Sequence, residues 1–243
     1  MSTGAGQHAP PRRLVVLISG RGSNLGALIE ACEQGRIPAE VVGVISNRPQ
    51  AGGLDLARAH GIPHRVVNHR DYDSREAFDA DLAAATEEYQ PDLVILAGFM
   101  RILTPGFVER FTGRLLNIHP SLLPKYRGLD THARALADGE REHGASVHFV
   151  TPELDGGPVI MQARVPVAAD DTPDTLAARV QRAEHRLYPE VVRRLCSGEI
   201  QWAGRILQGD GTPLEAPLQL EFDEGAPDVQ DPDGPNSTPC RTG

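Results

Sequence analysis

Two polar residues end an apolar segment at a place where they could carry chemistry. Asn117 and His119 close the run LLNIH (115–119), and Pro120 follows directly. Because side chains two residues apart on a strand point to the same side, an amide donor and a titratable imidazole would face one space. Such a pair can stabilise a developing oxyanion and move a proton, although it can also be an ordinary hydrogen-bonding pair. Pro120 favours the functional interpretation, because it ends the strand where open α/β sheets bind ligands.

A carboxylate in a later loop is a candidate partner for this pair. Asp155 lies in the segment ELDGG, followed by Pro158. An Asp beside glycines most often only forms a turn. The alternative is a carboxylate that approaches His119, orients its ring and favours its charged form. The sequence does not decide between the two, because it does not show whether these loops meet.

A glycine-rich turn, SGRGSN (19–24), lies between an apolar segment and an amphipathic one. Free N–H groups at the start of a helix favour a phosphate there. The dinucleotide pattern G-x-G-x-x-G fails, because Leu25 stands at the third glycine position. The next apolar segment ends in Ser46 and Asn47 rather than in the acid that holds an NAD ribose. The turn therefore favours one phosphate on a small substrate, while a plain strand-to-helix turn would use the same residue types.

The other motifs indicate neither a metal nor ATP. His60 and His64 are four apart, but Gly61 and Pro63 between them break the helix that a metal-binding pair would need. The chain has no H-E-x-x-H motif, no Cys/His cluster and no G-x-x-x-x-G-K-[ST] loop. We therefore expect no metal ion and no ATP.

Alternating apolar and amphipathic segments must position these residues. The predicted strands are residues 14–18, 41–45, 64–67, 93–97, 115–119, 145–150 and 159–167. The predicted helices are residues 24–34, 53–60, 74–89 and 171–194. We expect Ser23 or Asn24 to be the N-cap of the first helix, with Gly35 as its stop. The alternation predicts an α/β fold, with a doubly wound, mostly parallel, Rossmann-like sheet and helices on both faces.

Composition limits the class of protein and its partners. The 243 residues are 40% hydrophobic and have a net charge of −9, which argues against a nucleic acid or an anionic membrane as partner. Three cysteines without a C-x-x-C pair indicate a reducing cytoplasm. No segment approaches the ~20 apolar residues of a spanning helix. A homodimer, the commonest assembly, is compatible with the sequence, which does not decide the oligomeric state.

The same composition suggests three regions. Residues 1–12 are predicted to be a disordered lead, and residues 13–203 the catalytic domain. Residues 204–243 carry eight acidic residues and two Arg and are rich in Gly and Pro. We predict that this acidic tail is weakly ordered, with a short extended piece at 213–222.

Five stretches, in order and spacing, resemble the phosphoribosylglycinamide formyltransferase family, the folate-dependent enzymes of purine synthesis. They are VVLISGRGSNL (15–25), AGFMRIL (97–103), LLNIHPSLLPKYRG (115–128), HFVTPELDGGPVI (148–160) and RVQRAEHRLYP (179–189). The resemblance covers about residues 13–200. It departs at Arg127, where a proline or another residue is expected, and at Asp130. These departures concern the loop beyond the catalytic strand rather than the chemistry.

The resemblance implies that a formyl group moves from the co-substrate 10-formyltetrahydrofolate to the amino group of glycinamide ribonucleotide. It implies that the catalytic residues are Asn117, His119 and Asp155. It implies that the ribonucleotide phosphate is bound by Gly22, Ser23 and Asn24, with Glu184 near the glycinamide portion. It implies a folate pocket formed by Arg75, Met100, Arg101, Ile102, Leu103, Thr151, Pro152, Glu153, Leu154 and Asp155, with His148 as a neighbour.

Three other classes fit the sequence less well. A methionyl-tRNA formyltransferase would need a further basic C-terminal domain, whereas this chain ends in an acidic tail. A formyltetrahydrofolate hydrolase usually carries a regulatory domain ahead of the catalytic one, and only about a dozen residues precede the first predicted strand. A non-catalytic nucleotide-binding protein would not need Asn117, His119 and Asp155 together.

Overall fold

A computed structural model describes residues 10–221. The strands among these residues are β1 (Arg12–Ile18), β2 (Ala39–Ser46), β3 (His64–Val66), β4 (Leu93–Leu96), β5 (Leu115–His119), β6 (Glu142–Phe149), β7 (Val159–Pro166), β8 (Ile200–Trp202), β9 (Ile206–Gln208) and β10 (Leu218–Leu220). The α-helices among them are α1 (Ser23–Glu33), α2 (Gly53–Ala59), α3 (Arg75–Glu87), α4 (Pro105–Arg110), α5 (Thr131–Ala137) and α6 (Pro173–Ser197). No helix in this part of the chain combines the length and the apolarity needed to cross a bilayer.

Eight of the strands form one sheet in the order β10-β7-β6-β5-β4-β1-β2-β3. The pairs on either side of β1 are parallel, as are β2 with β3, β4 with β5, and β10 with β7. Strand β6 runs antiparallel to both β5 and β7. The predicted α/β fold with a mostly parallel sheet is confirmed. The strand order reverses between β1 and β4, which is where an open α/β sheet forms a crevice beyond its carboxyl edge.

The central strand is buried on both faces, as its continuous apolar run predicts. Leu14, Val16 and Ile18 belong to the core layer that includes α1 and α6. Val15 and Leu17 belong to the opposite layer, which includes α3 and α4. Helices therefore cover both faces of the sheet, and the loops that follow its strands are held on a rigid frame.

The start of α1 differs from the prediction that Ser23 or Asn24 is its N-cap. Gly22 takes that place in a left-handed conformation with φ +85°, and Ser23 is the first helical residue. The side chains of Ser23 and Asn24 contact Gln181 and Glu184 of α6 instead of the backbone of their own helix. The prediction of the cap was wrong because both side chains form hydrogen bonds to α6 instead of capping α1.

Several short elements were not predicted. Helices α4 and α5 are six and seven residues long, too short for an apolar period to be recognised. Strands β8 and β9 form a small antiparallel pair. Strands β9 and β10 lie in the predicted tail; β10 falls within the extended piece expected at 213–222, and it adds to the main sheet beside β7. This part of the tail therefore has regular structure, whereas residues 222–243 lie outside the described residues and the domain boundaries remain predictions.

The loop between β6 and β7 turns back on itself at glycines. A Cβ atom on Gly157 would lie 1.8 Å from the carbonyl oxygen of Phe149, and one on Gly156 would lie 2.4 Å from the Glu153 side chain. The Phe149 amide donates to the carbonyl of Pro158 at 3.1 Å, which closes the loop at its base. The loop that carries Asp155 is thus shaped by close backbone contacts that only glycine allows.

Gly157→Ala should therefore destabilise the protein. We expect the free energy of unfolding to fall by about 1–3 kcal/mol, because the added methyl group must displace backbone rather than a side chain. Chemical denaturation would measure the change. Gly106→Ala is the matched control, since a Cβ there meets nothing within 4 Å. Equal unfolding free energies for the two variants would contradict this account of the loop.

Candidate active site

The carboxyl ends of β1, β2 and β4 are tied together by one buried serine. Ser19 Oγ donates to Asn47 Oδ1 at 2.6 Å and accepts from the Met100 amide at 2.8 Å. The turn after β1 and the loop after β4 therefore flank the crevice at fixed separation. This crevice is where the predicted phosphate turn and the predicted folate residues lie.

The predicted phosphate turn is packed tightly against α2. The Gly53 amide donates to the Gly20 carbonyl at 3.1 Å. A Cβ atom on Gly22 would lie 2.8 Å from the Cα of Gly53. The turn leads directly into α1, whose first backbone N–H groups have no partner within the helix and can bind an anion.

A buried carboxyl group lies beside this turn. Asn24 Nδ2 donates to Glu184 Oε2 at 2.8 Å, and both residues are buried. Burial raises the pKa of Glu184 to about 7, and the hydrogen bond from Asn24 opposes the rise only in part. Asn24 Oδ1 accepts no hydrogen bond from the described residues. The crevice thus contains a titratable carboxyl group and a buried amide oxygen.

Gln181 also borders the site, although it was not predicted to do so. Its Nε2 donates to Ser23 Oγ at 3.0 Å, so it borders the phosphate turn together with Asn24 and Glu184. Gln181 precedes Glu184 by three residues on α6, which places both on one helix face. That spacing was visible in the segment RVQRAEHRLYP and could have identified it.

The two loops that carry the predicted catalytic residues meet. His119 Nδ1 lies 3.5 Å from Asp155 Oδ2, and the side chains are only 7% and 8% exposed. Asp155 has a left-handed backbone with φ +47°. Gly128 donates its amide to Asp155 Oδ2 at 2.9 Å, which further fixes the carboxylate. The imidazole of His119 and the carboxyl group of Asp155 are therefore adjacent and almost fully buried, as a shared catalytic role with Asn117 would require.

The other ring nitrogen of His119 contacts a backbone oxygen. His119 Nε2 lies 2.9 Å from the carbonyl oxygen of Tyr126. Since a carbonyl can only accept, this nitrogen carries a hydrogen, and Nδ1 faces the Asp155 carboxylate.

Asn117 is oriented by a second histidine on β6. Residues 117 and 148 are opposite each other in the β5–β6 pairing. His148 Nδ1 donates to the Phe149 carbonyl at 2.9 Å, and His148 Nε2 lies 3.2 Å from Asn117 Nδ2. Burial lowers the pKa of His148, and the nearby Asp155 does not offset it. His148 is thus neutral and accepts from the amide, whose second hydrogen can reach a ligand.

A cavity of about 110 Å³ adjoins these groups. It is lined by Leu96, Phe99, Arg101, Ile102, Leu103, Val108, Asn117, His148, Val150, Thr151, Pro152, Glu153, Leu154 and Asp155. Most of the predicted folate residues are thus brought together. Met100 and Arg75 are not among its lining residues: Met100 is exposed, and Arg75 donates to the carbonyl of Ile102, a lining residue, at 2.6 Å. His119 contacts Asp155, which also lines the cavity.

Two further features bear on alternative sites. A larger cavity, about 380 Å³, lies between Arg36, α6 and Leu220, and it contains none of the predicted site residues. Across residues 10–221, no group of three or more His, Cys, Asp or Glu side chains is arranged to hold a metal ion. The chemistry suggested by the sequence is therefore concentrated at the carboxyl edge of β1, β4 and β5.

Comparison with known proteins identifies the class to which this fold and site belong. The formyl transferase family model matches residues 12–192. The chain belongs to the formyl transferase family.

Three relatives define the similarity more closely. The phosphoribosylglycinamide formyltransferase of Escherichia coli is 55% identical over 201 residues, which are 83% of this chain and 95% of that protein. The phosphoribosylglycinamide formyltransferase of Haemophilus influenzae is 41% identical over 203 residues, or 84% of this chain and 96% of the relative. The solved structure of the phosphoribosylglycinamide formyltransferase of Coxiella burnetii is 46% identical in sequence and superposes with a TM-score of 0.82. The match covers 87% of this chain and 100% of the Coxiella burnetii chain.

The buried Glu184 predicts a pH-dependent stability. Its pKa is about 7 in the folded protein against 4.5 ordinarily, so the folded protein binds more protons than the unfolded chain between these values. The stability of the wild type therefore falls, relative to Glu184→Gln, as the pH rises through this window, and the difference then levels off. We expect the difference in unfolding free energy to change by about 3 kcal/mol in favour of the variant.

Denaturation at several pH values between about 4 and 8 would measure this difference, since the window follows from the two pKa values. Glu109→Gln on the exposed side of α4 is the control, and its difference from wild type should stay small throughout. A difference for Glu184→Gln that does not vary with pH would contradict the raised pKa.

Proposed function

We propose that this chain transfers the formyl group of 10-formyltetrahydrofolate to the amino group of 5-phosphoribosylglycinamide, a step of de novo purine (IMP) biosynthesis. The observation that carries this proposal is the contact between His119 Nδ1 and Asp155 Oδ2 at 3.5 Å, next to a cavity lined by Asn117. The 55% identity to the Escherichia coli phosphoribosylglycinamide formyltransferase supports the choice of acceptor.

The ribonucleotide occupies the β1 side of the crevice. Gly22, Ser23 and Asn24 bind its phosphate through backbone N–H groups at the start of α1, where the helix dipole favours an anion. Glu184 and the buried Oδ1 of Asn24 accept hydrogen bonds from the glycinamide portion. The buried Asn24 Oδ1 supports this role, because it accepts no hydrogen bond from the described residues and a buried acceptor without a donor is costly.

The folate occupies the cavity on the β4 side. Arg101, Ile102 and Leu103 line this cavity together with the loop 151–155, and these residues contact the folate ring. Met100 and Arg75 extend this surface outward, where Met100 is 65% exposed. The formyl carbon then lies next to Asn117 and Asp155.

The reaction proceeds by addition and elimination. The substrate amine attacks the formyl carbon, and the carbonyl oxygen becomes an oxyanion. Asn117 donates to this oxygen through the hydrogen of Nδ2 that His148 does not accept, and the charged ring of His119 stabilises it electrostatically. Collapse of the intermediate breaks the bond to the folate nitrogen. The proton lost by the new ammonium passes to that nitrogen through Asp155, His119 or a water between them.

The remaining expectations belong to the same proposal. The enzyme uses small-molecule substrates and a folate co-substrate, without a metal ion or ATP. It has no nucleic acid or membrane partner, which the net charge of −9 supports. It works in the cytoplasm, where its three dispersed cysteines stay reduced. A homodimer is the assembly that we expect on general grounds.

An acceptor assay would test the proposal directly. We expect 10-formyltetrahydrofolate to formylate glycinamide ribonucleotide, and neither initiator methionyl-tRNA nor water to accept the formyl group at a comparable rate. Mass spectrometry of the acceptor and absorbance of the folate product would measure transfer. Formylation of the tRNA, or release of formate alone, would replace the proposal by one of the related reactions, and no turnover would favour a binding protein.

His119→Ala should abolish most of the turnover and leave ribonucleotide binding nearly intact. Loss of one oxyanion-stabilising group typically costs ~10²–10³ in rate. Steady-state kinetics would give kcat, and calorimetry would give the affinity for the ribonucleotide. His64→Ala on exposed β3 is the control and should keep wild-type kcat. A His119→Ala enzyme with wild-type turnover would remove His119 from the mechanism.

A further inference from the structure

A three-residue segment after β5 contacts both the imidazole and the carboxylate of the proposed site. The carbonyl oxygen of Tyr126 lies 2.9 Å from His119 Nε2, and the Gly128 amide donates to Asp155 Oδ2 at 2.9 Å. Both contacts use backbone atoms. The position of this segment, which we call the 126–128 segment, therefore sets the relative position of His119 and Asp155.

The 126–128 segment needs support from outside, because its backbone is unusual. Tyr126, Gly128 and Asp130 all have left-handed backbone angles, with φ +55°, +80° and +57°. Non-glycine residues in that region are strained and persist only where neighbours hold them. Arg134 of α5 supplies one support, since its Nη1 donates to the Arg127 carbonyl at 2.8 Å. That contact ties the segment to α5 but not to the loop that carries Asp155.

The second support is an ion pair that spans the two loops. Arg127 Nη1 donates to Glu153 Oε1. Glu153 lies two residues before Asp155, and its carbonyl accepts the Gly156 amide at 3.1 Å, so it belongs to the same turn as Asp155. Two neighbouring residues thus bind the same loop: the side chain of Arg127 contacts Glu153, and the backbone amide of Gly128 donates to Asp155.

The location of this pair matters more than its strength. The two side chains are 39% and 66% exposed, and ion pairs at such sites add little to stability. A misplacement of about 1 Å at a catalytic centre can nevertheless cost ~10²-fold in rate.

We propose that Arg127 and Glu153 form a positioning pair, which holds the 126–128 segment against the 151–155 loop and so keeps His119 and Asp155 in contact. This inference rests on the proposed function, because it assigns the pair a role in the same reaction. Arg127 is not among the residues that line the cavity. It acts through the backbone of its neighbours, whereas Glu153 also lines the cavity.

Charge reversal, singly and together, tests this role. Arg127→Glu places two carboxylates against each other, and we expect kcat to fall about three- to tenfold while KM for both substrates stays within about twofold. Glu153→Arg should lower kcat similarly and can also change KM for the folate, since Glu153 lines the cavity. The double variant, Arg127→Glu with Glu153→Arg, restores the attraction with reversed polarity. We expect its kcat to return to within about twofold of wild type.

The pair formed by Arg65 and Glu88 is the matched control. Its side chains are 42% and 67% exposed, and its atoms are 3.0 Å apart. Arg65→Glu should leave kcat unchanged, because the pair joins β3 to the end of α3 and contacts neither loop of the site. A general effect of charge reversal would appear equally in this variant.

Distinct outcomes decide the proposal. A double variant no better than the poorer single variant, or an Arg127→Glu enzyme with wild-type kcat, overturns it. If thermal melting shows that Arg127→Glu does not fold, Arg127→Gln is measured instead, and an unchanged kcat again overturns it. A wild-type enzyme that does not formylate glycinamide ribonucleotide would refute the proposed function itself. Normal wild-type turnover with no effect of Arg127 refutes only the positioning role.

Discussion

The contact between His119 and Asp155 is the constraint on which the rest of the site depends. His119 ends β5, which is parallel to β4, and Asp155 lies in the loop between the antiparallel strands β6 and β7. Two buried polar groups side by side are stable only when further hydrogen bonds satisfy both of them. The Tyr126 carbonyl and the Gly128 amide supply these bonds, so the loop after β5 is a part of the site.

The two sides of the crevice differ in their electrostatics. On the β1 side, a helix start and a glycine turn offer backbone N–H groups to an anion, and the neighbouring carboxyl of Glu184 has its pKa raised by burial. On the β5 side, buried His148 has a lowered pKa and serves as a neutral acceptor for Asn117. Burial thus favours the neutral form of both groups, since it raises the pKa of the Glu184 carboxyl group on α6 and lowers the pKa of the His148 imidazole on β6.

Much of this arrangement could be predicted from the sequence. The apolar run 14–18 predicts a central strand buried on both faces, and the spacing of Asn117 and His119 places both at one strand end. The approach of Asp155 could not be derived from these patterns, because it depends on an antiparallel strand and on backbone angles that only the folded loops define. The cap of α1 was mispredicted for a related reason, since Ser23 and Asn24 contact α6 and not their own helix.

Strand β10 has a consequence for the behaviour of the molecule in solution. It pairs with the outer side of β7, an eight-residue strand that would otherwise end the sheet. Long exposed edges recruit strands from other molecules, whereas a three-residue edge offers few unpaired groups. Strand β10 thus covers Met161 to Ala163 of the β7 edge, and the strands at both ends of the sheet, β10 and β3, are three residues long. Such short edge strands offer few unpaired backbone groups to another molecule.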